Sequence, residues 1–106
     1  NKTDEESNRK SIDALLDVLL NSENDAWRDD AAQALAEAAD DAIATEALMT
    51  AMESPKLDDS LRRTCAESLA TIWINAGRVP QSSLNRLHGI PRSVVDAFLR
   101  AARLMV

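Results

Sequence analysis

Asp25-Ala26-Trp27-Arg28-Asp29-Asp30-Ala31-Ala32-Gln33-Ala34-Leu35-Ala36 returns 34 positions later as Asp59-Ser60-Leu61-Arg62-Arg63-Thr64-Cys65-Ala66-Glu67-Ser68-Leu69-Ala70. Both stretches open on D-x-x-R and reach a leucine through small residues. A second pair lies upstream of each: Ala14-Leu15-Leu16-Asp17-Val18-Leu19 and Ala47-Leu48-Met49-Thr50-Ala51-Met52, offset by 33. The two offsets differ by one, so the loop between has gained a residue. A period of this size marks a stack of helical hairpins, each burying its apolar stripe against the next.

The hydrophobic spacing fills in the helices. Ile12, Leu15, Leu16, Leu19 and Leu20 form one helical stripe. That helix starts securely at Ser11, with Thr3-Asp4-Glu5-Glu6 as an earlier capping box. Asp25 is the expected cap of a second helix buried through Trp27, Ala31, Ala34, Leu35 and Ala38. Asp40-Asp41 opens a third, buried through Ala44, Ala47, Leu48, Ala51 and Met52 and stopped by Ser54-Pro55. A fourth, capped by Asp58, Asp59 or Ser60, buries Leu61, Cys65, Leu69, Ile72 and Trp73 and ends at Gly77. After Gly77 the repeat degenerates. Pro80 precedes a short helix with Leu84 and Leu87, and Pro91 sits at the first position of a last helix lined by Val94, Val95, Phe98, Leu99 and Ala102. The expected fold is an all-α right-handed solenoid of about three helical hairpins, the last irregular. It forms one domain over 1–106: repeat 1 about 11–39, repeat 2 about 41–77, and an irregular C-terminal cap about 80–106.

The 106 residues suffice for one core, and a hydrophobic fraction of 45% excludes a disordered chain. Net charge is −6, unevenly spread: residues 1–67 hold 17 acids and 7 bases, whereas residues 78–106 hold five arginines and one aspartate. The acidic part repels nucleic acid and anionic membranes over a Debye length of ~8–10 Å. No apolar run approaches the ~18 residues of a membrane span. Cys65 is the sole cysteine, so no internal disulfide is expected, which fits a reducing, cytoplasmic setting. The chain opens on Asn1 in place of Met, as a processed chain or a piece of a longer one does.

An apolar first helix, a loop, and a second helix opening D-x-x-R before an A-x-x-A-L core resemble the HEAT-like repeats of the short bacterial kind. Asp25 to Arg28 with Ala31 to Leu35, and Asp59 to Arg62 with Cys65 to Leu69, carry the likeness over about residues 12–76. Residues 78–106 match only as helices. The glycine usual after the A-L core is replaced by Ala36 and Ala70. The resemblance implies that the second helices present the binding face. On it would lie Asp29, Gln33 and Glu37, with Arg63, Glu67 and Thr71 at the matching positions.

The recurrence of D-x-x-R is itself structural. The aspartate complements the helix dipole, and the arginine one turn later pairs with it or with the preceding loop. His88, beside Gly89, reads as a dipole partner at a helix C-terminus. HEAT-like iron hydroxylases use His-Glu pairs, and this chain has no such dipeptide. Cys65 takes the place of Ala31, a small buried site where thiols are inert. The pairs Asp29-Asp30, Asp40-Asp41 and Asp58-Asp59 diverge by ~100° on a helix, so neither partner shares a proton with the other. There is no phosphate-binding loop and no EF-hand spacing. We therefore expect no catalytic residues, no cofactor and no metal. The expected function is non-catalytic protein binding or scaffolding, in one version as a small bacterial inhibitor or immunity-like protein. The alternative is a nucleic-acid accessory role for the basic face of Arg92, Arg100 and Arg103 on the last helix.

Overall fold

The first helix of a hairpin ends in carbonyls that have no partner inside the helix, and an arginine of the second helix meets them. The computed structural model, which describes residues 2–104 and the side chains of residues 4–104, holds six α-helices: α1 Lys2–Asn21, α2 Asp25–Ala34, α3 Asp41–Glu53, α4 Asp59–Ala76, α5 Gln81–Arg86 and α6 Gly89–Ala101. A 3-10 turn, Leu35–Glu37, continues α2. No strand occurs among the described residues.

Arg28 of α2 donates from Nε to the Leu19 carbonyl at the end of α1 (2.8 Å) and from its terminal nitrogen to the Lys56 carbonyl (2.8 Å). Arg62 of α4 repeats this on Met52 (3.2 Å) and Ser54 (2.9 Å) at the end of α3. Arg92 of α6 donates to the Leu84 carbonyl of α5 (3.0 Å). One device therefore ties all three hairpins, including the one whose sequence matches only as helices. The aspartates of D-x-x-R are secondary. Asp25 and Asp59 stand 3.7 and 3.5 Å from their arginines and are largely exposed, where ion pairs contribute ~0–1 kcal/mol.

The helices form two layers. α1 packs on α3 in one layer, and α2 on α4 and α4 on α6 in the other, while α1 and α3 lie against α2 and α4. Arg86 joins α5 to α3 by pairing with Glu46 and Glu53. The molecule is 20 Å through its thinnest axis, which accommodates two helices at the usual ~8–10 Å spacing. Between the layers Leu19, Leu35, Leu48, Met49, Leu69 and Leu99 are fully buried. Leu35, Leu69 and Leu99 occupy the same position, seven residues after Arg28, Arg62 and Arg92.

Several expectations need correcting. Trp27 is not buried: it is 63% exposed, because α2 is the outermost helix of its layer and no described element packs on its outer side. Phe98 is likewise 37% exposed on α6, while its neighbours Val95 and Leu99 are buried. The cap of α2 is Asn24, whose side chain accepts the Trp27 N–H (3.1 Å), so Asp25 is the first helical residue. Asp40 and Asp58 cap α3 and α4 in the same way. α1 begins well before Ser11. Its polar first turns place Glu5 and Glu6 one turn ahead of Arg9 and Lys10, a favourable helical spacing. The capping box rests on Thr3, whose side chain lies outside those described. Gly77 does end α4, at φ 70°. Its N–H reaches the Ile74 carbonyl and that of Arg78 the Trp73 carbonyl, closing a Schellman motif. Pro91 is the third residue of α6, where a missing N–H still costs no intrahelical bond. His88 stands between two helix ends, one residue past Leu87 at the C-terminus of α5 and at the N-cap of α6, where its side chain makes no cap hydrogen bond.

Replacing Arg28, Arg62 or Arg92 by Met should each cost about 1–3 kcal/mol, since charge-assisted bonds to part-buried carbonyls are lost. Lysine should restore little at positions 28 and 62, because one ammonium cannot reach two carbonyls in a fixed fork. Urea melts check this, and losses under about half a kcal/mol would show that the device is incidental. Leu99→Ala should cost ~2–5 kcal/mol, as Leu35→Ala and Leu69→Ala should.

Candidate binding surfaces

Side chains on the outward side of α2, α4 and α6 enclose a hollow of about 410 Å³, lined by Gln33, Thr64, Glu67, Ser68, Thr71 and Phe98, with Ala36 beside them. The layer of second helices creates it. Small residues at Ala32, Ala66 and Ala70 are buried where the helices approach, and longer polar chains stand along the rim. Asp29 braces one side. Its carboxylate accepts from Thr64 Oγ1 (2.8 Å) across the α2–α4 seam and from Gln33 Nε2 (2.6 Å). The Thr71 hydroxyl turns back to the Glu67 carbonyl (2.9 Å).

Of the residues the sequence selects, Gln33, Glu67 and Thr71 come together in this hollow. Asp29 is tied to it by hydrogen bonds, and Glu37 and Arg63 are exposed in the chain next to Ala36 and Thr64. Phe98 was missed, because its spacing assigns it to the buried stripe of α6. It supplies the one aromatic wall of the hollow. The basic face divides differently. Arg92 is occupied, pairing with Asp96 (3.0 and 3.1 Å) as well as Leu84, while Arg100 and Arg103 are exposed.

A larger hollow, about 500 Å³, opens between the ends of α3 and α4 and the turn into α6. His88 reaches it, together with Arg62 and Arg86. Both arginines are spent on internal partners, the first on carbonyls and the second on Glu46 and Glu53. Among the described residues no three His, Cys, Asp or Glu side chains converge as metal ligands would. No helix among the described residues is long and apolar enough to cross a membrane.

Cys65 lies behind the α2–α4 seam, fully buried. Burial pushes its thiol up to about 12 from the ordinary 9.0, helped by the nearby Asp29 carboxylate. At neutral pH the sulfur is therefore protonated and a poor nucleophile.

The same shift sets a pH dependence. From about pH 9 to about 12 the folded chain keeps a proton that the unfolded chain loses, so stability is complete below this window and falls as pH rises through it. Cys65→Ala, which installs the residue of the other repeat, should remove that component. The urea midpoint of the parent chain should drop more steeply than the variant's between about pH 8 and about pH 10.5. Parallel curves would place the thiol in a less buried setting.

No protein-family model, curated protein or solved structure matches the chain.

Proposed function

We propose that this chain is a non-catalytic protein-binding module built as a HEAT-like right-handed solenoid, with its partner seated on the face of α2, α4 and α6. The observation that carries the reading is the hollow shared by Gln33, Glu67, Thr71 and Phe98. It spans three successive second helices, so it belongs to the stack and to no single hairpin. The threefold arginine-to-carbonyl bond supports the repeat reading, since it ties each second helix to the first helix before it. Rigid helices, a polar rim and one exposed aromatic suit a docking surface. The acidic surface suits a basic protein target, as an inhibitor or immunity-like protein would have. In this reading the setting is bacterial and cytoplasmic. The nucleic-acid alternative is weaker, because Arg86 and Arg92 are both engaged internally and leave Arg100 and Arg103 as a small patch.

A photoreactive amino acid placed at Glu67 or Thr71, and as a control at the exposed Thr50 on α3, tests the face. Cross-linked adducts should form in source cells from the first two positions and not from Thr50. Adducts from Thr50 alone would move the site to the other layer. DNA or RNA binding should not exceed the non-specific ~10⁻⁴–10⁻⁶ M at physiological salt, which a fluorescence anisotropy titration reads.

A further inference from the structure

The outer edge of the α1–α2 hairpin carries the most exposed large apolar side chain described, Trp27. Beside it is a hollow of about 330 Å³ lined by Leu15 and Val18 of α1 and by Asp30, Ala31 and Ala34 of α2. Asp30 supplies the only charge on the lining. Among the described residues its carboxylate has no hydrogen-bond or ion-pair partner.

The same positions one repeat later show what such a face is for. Leu15 and Val18 correspond to Leu48 and Ala51; Trp27, Asp30, Ala31 and Ala34 correspond to Leu61, Thr64, Cys65 and Ser68. Leu48, Ala51, Leu61, Cys65 and Ser68 are all buried, on the two helices that receive α1 and α2. Across that seam Ala32 of α2 is buried, and Asp29 of α2 accepts from Thr64. At the outer edge, Thr64's place is taken by Asp30, an acceptor that needs a donor opposite it.

The chain's own far edge offers a hydroxyl donor, Ser93, at the place of Asp29, but not the small buried residues beside it. Where Ala32 and Ala66 are buried in the earlier hairpins, α6 has Asp96, and where Ala36 and Ala70 stand it has Arg100. Asp96 is paired with Arg92, so the last edge is a polar end. Stacking copies head to tail would bring that polar end onto Trp27, leaving its charges without water.

We propose that the α1–α2 edge is an end-on docking surface for a helical hairpin of a partner protein, one that presents small residues to Trp27 and Ala34 and a Lys or Arg to Asp30. The contact continues the α2–α4 seam by one more layer, with the polarity of one hydrogen bond reversed. It is separate from the hollow on the α2–α4–α6 face, so either site stands without the other.

A probe hairpin can be built from the chain itself. Residues 1–40 are placed before residues 8–106, so that Asp40 leads into Asn8 as it leads into Asp41. The added copy carries Trp27→Ser and Asp29→Lys. The parent has one accessible tryptophan, Trp27, and one buried, Trp73. In the extended chain acrylamide quenching of Trp27 should fall several-fold, to the level of Trp73, and its emission should move to shorter wavelength. Retaining Asp29 in the added copy should weaken that protection. Trp27 as quenchable as in the parent would overturn the proposal, and equal protection with Asp29 retained would overturn the cation opposite Asp30. Two measurements on the single-length chain stand independently. Trp27→Ser should leave its urea midpoint unchanged, since no described element covers that face; a loss of the size caused by Leu61→Ala would overturn the proposal. Sedimentation should show a monomer, and a dimer that shields Trp27 would assign the edge to a second copy instead.

Discussion

A helical hairpin leaves a polar problem at its bend. The last carbonyls of the first helix face the neighbouring chain with no amide to meet them, and burying them unpaired would cost about 1–3 kcal/mol each. Here a planar guanidinium from the second helix meets them. Its fork reaches two acceptors at once, which fixes both the distance and the rotation of one helix against the other. For Arg28 the second acceptor, Lys56, belongs to the next hairpin's loop, and the Lys56 ammonium returns a bond to Asn21 (2.6 Å). The bends of the first two hairpins are thereby stitched together, and the apolar stripes of α2 and α4 are brought into register.

The rest of the molecule follows from that register. Small residues on the second helices permit close approach, so Ala32, Ala66 and Ala70 vanish from the surface while Gln33, Glu67 and Thr71 are left standing outside. These exposed and half-buried side chains form a hollow because the three helices are held side by side, and Phe98 closes it because α6 is the last of them. Burial of Cys65 is a by-product of the same seam. A thiol replaces a methyl at a position with no room for water, and its proton is retained far above neutral pH.

Many of the carboxylates already have partners inside the molecule. Asp40 and Asp58 are consumed as caps, Asp29 as an acceptor for Thr64 and Gln33, and Glu46 and Glu53 as partners of Arg86. These assignments explain why so many carboxylates give no converging set. Adjacent aspartates serve different surfaces: Asp29 turns to the α4 seam and Asp30 to the outer edge. The two outer edges, at α2 and at α6, then differ in kind. One is apolar around Trp27, and the other is closed by the Arg92–Asp96 pair.

Helicity, the places of α2, α3 and α4, and most of the core are legible in the residues alone. Periodicity at 3.6 residues and the 33- and 34-residue offsets are local properties, and the buried stripes of α3 and α4 agree with them residue by residue. The outward positions Gln33, Glu67 and Thr71 were legible for the same reason, as the complement of those stripes. Which stripes are covered is a matter of packing between helices. Trp27 and Leu61 are equivalent by sequence, yet one is exposed and the other buried, because coverage depends on having a neighbour and α2 has none on its outer side. The third use of the arginine device was hidden for a related reason: Arg92 follows Gly89 instead of an aspartate and lies 30 positions after Arg62, not 34. Its bond to Leu84 depends on where α5 ends in space, and no local pattern in the chain encodes that distance.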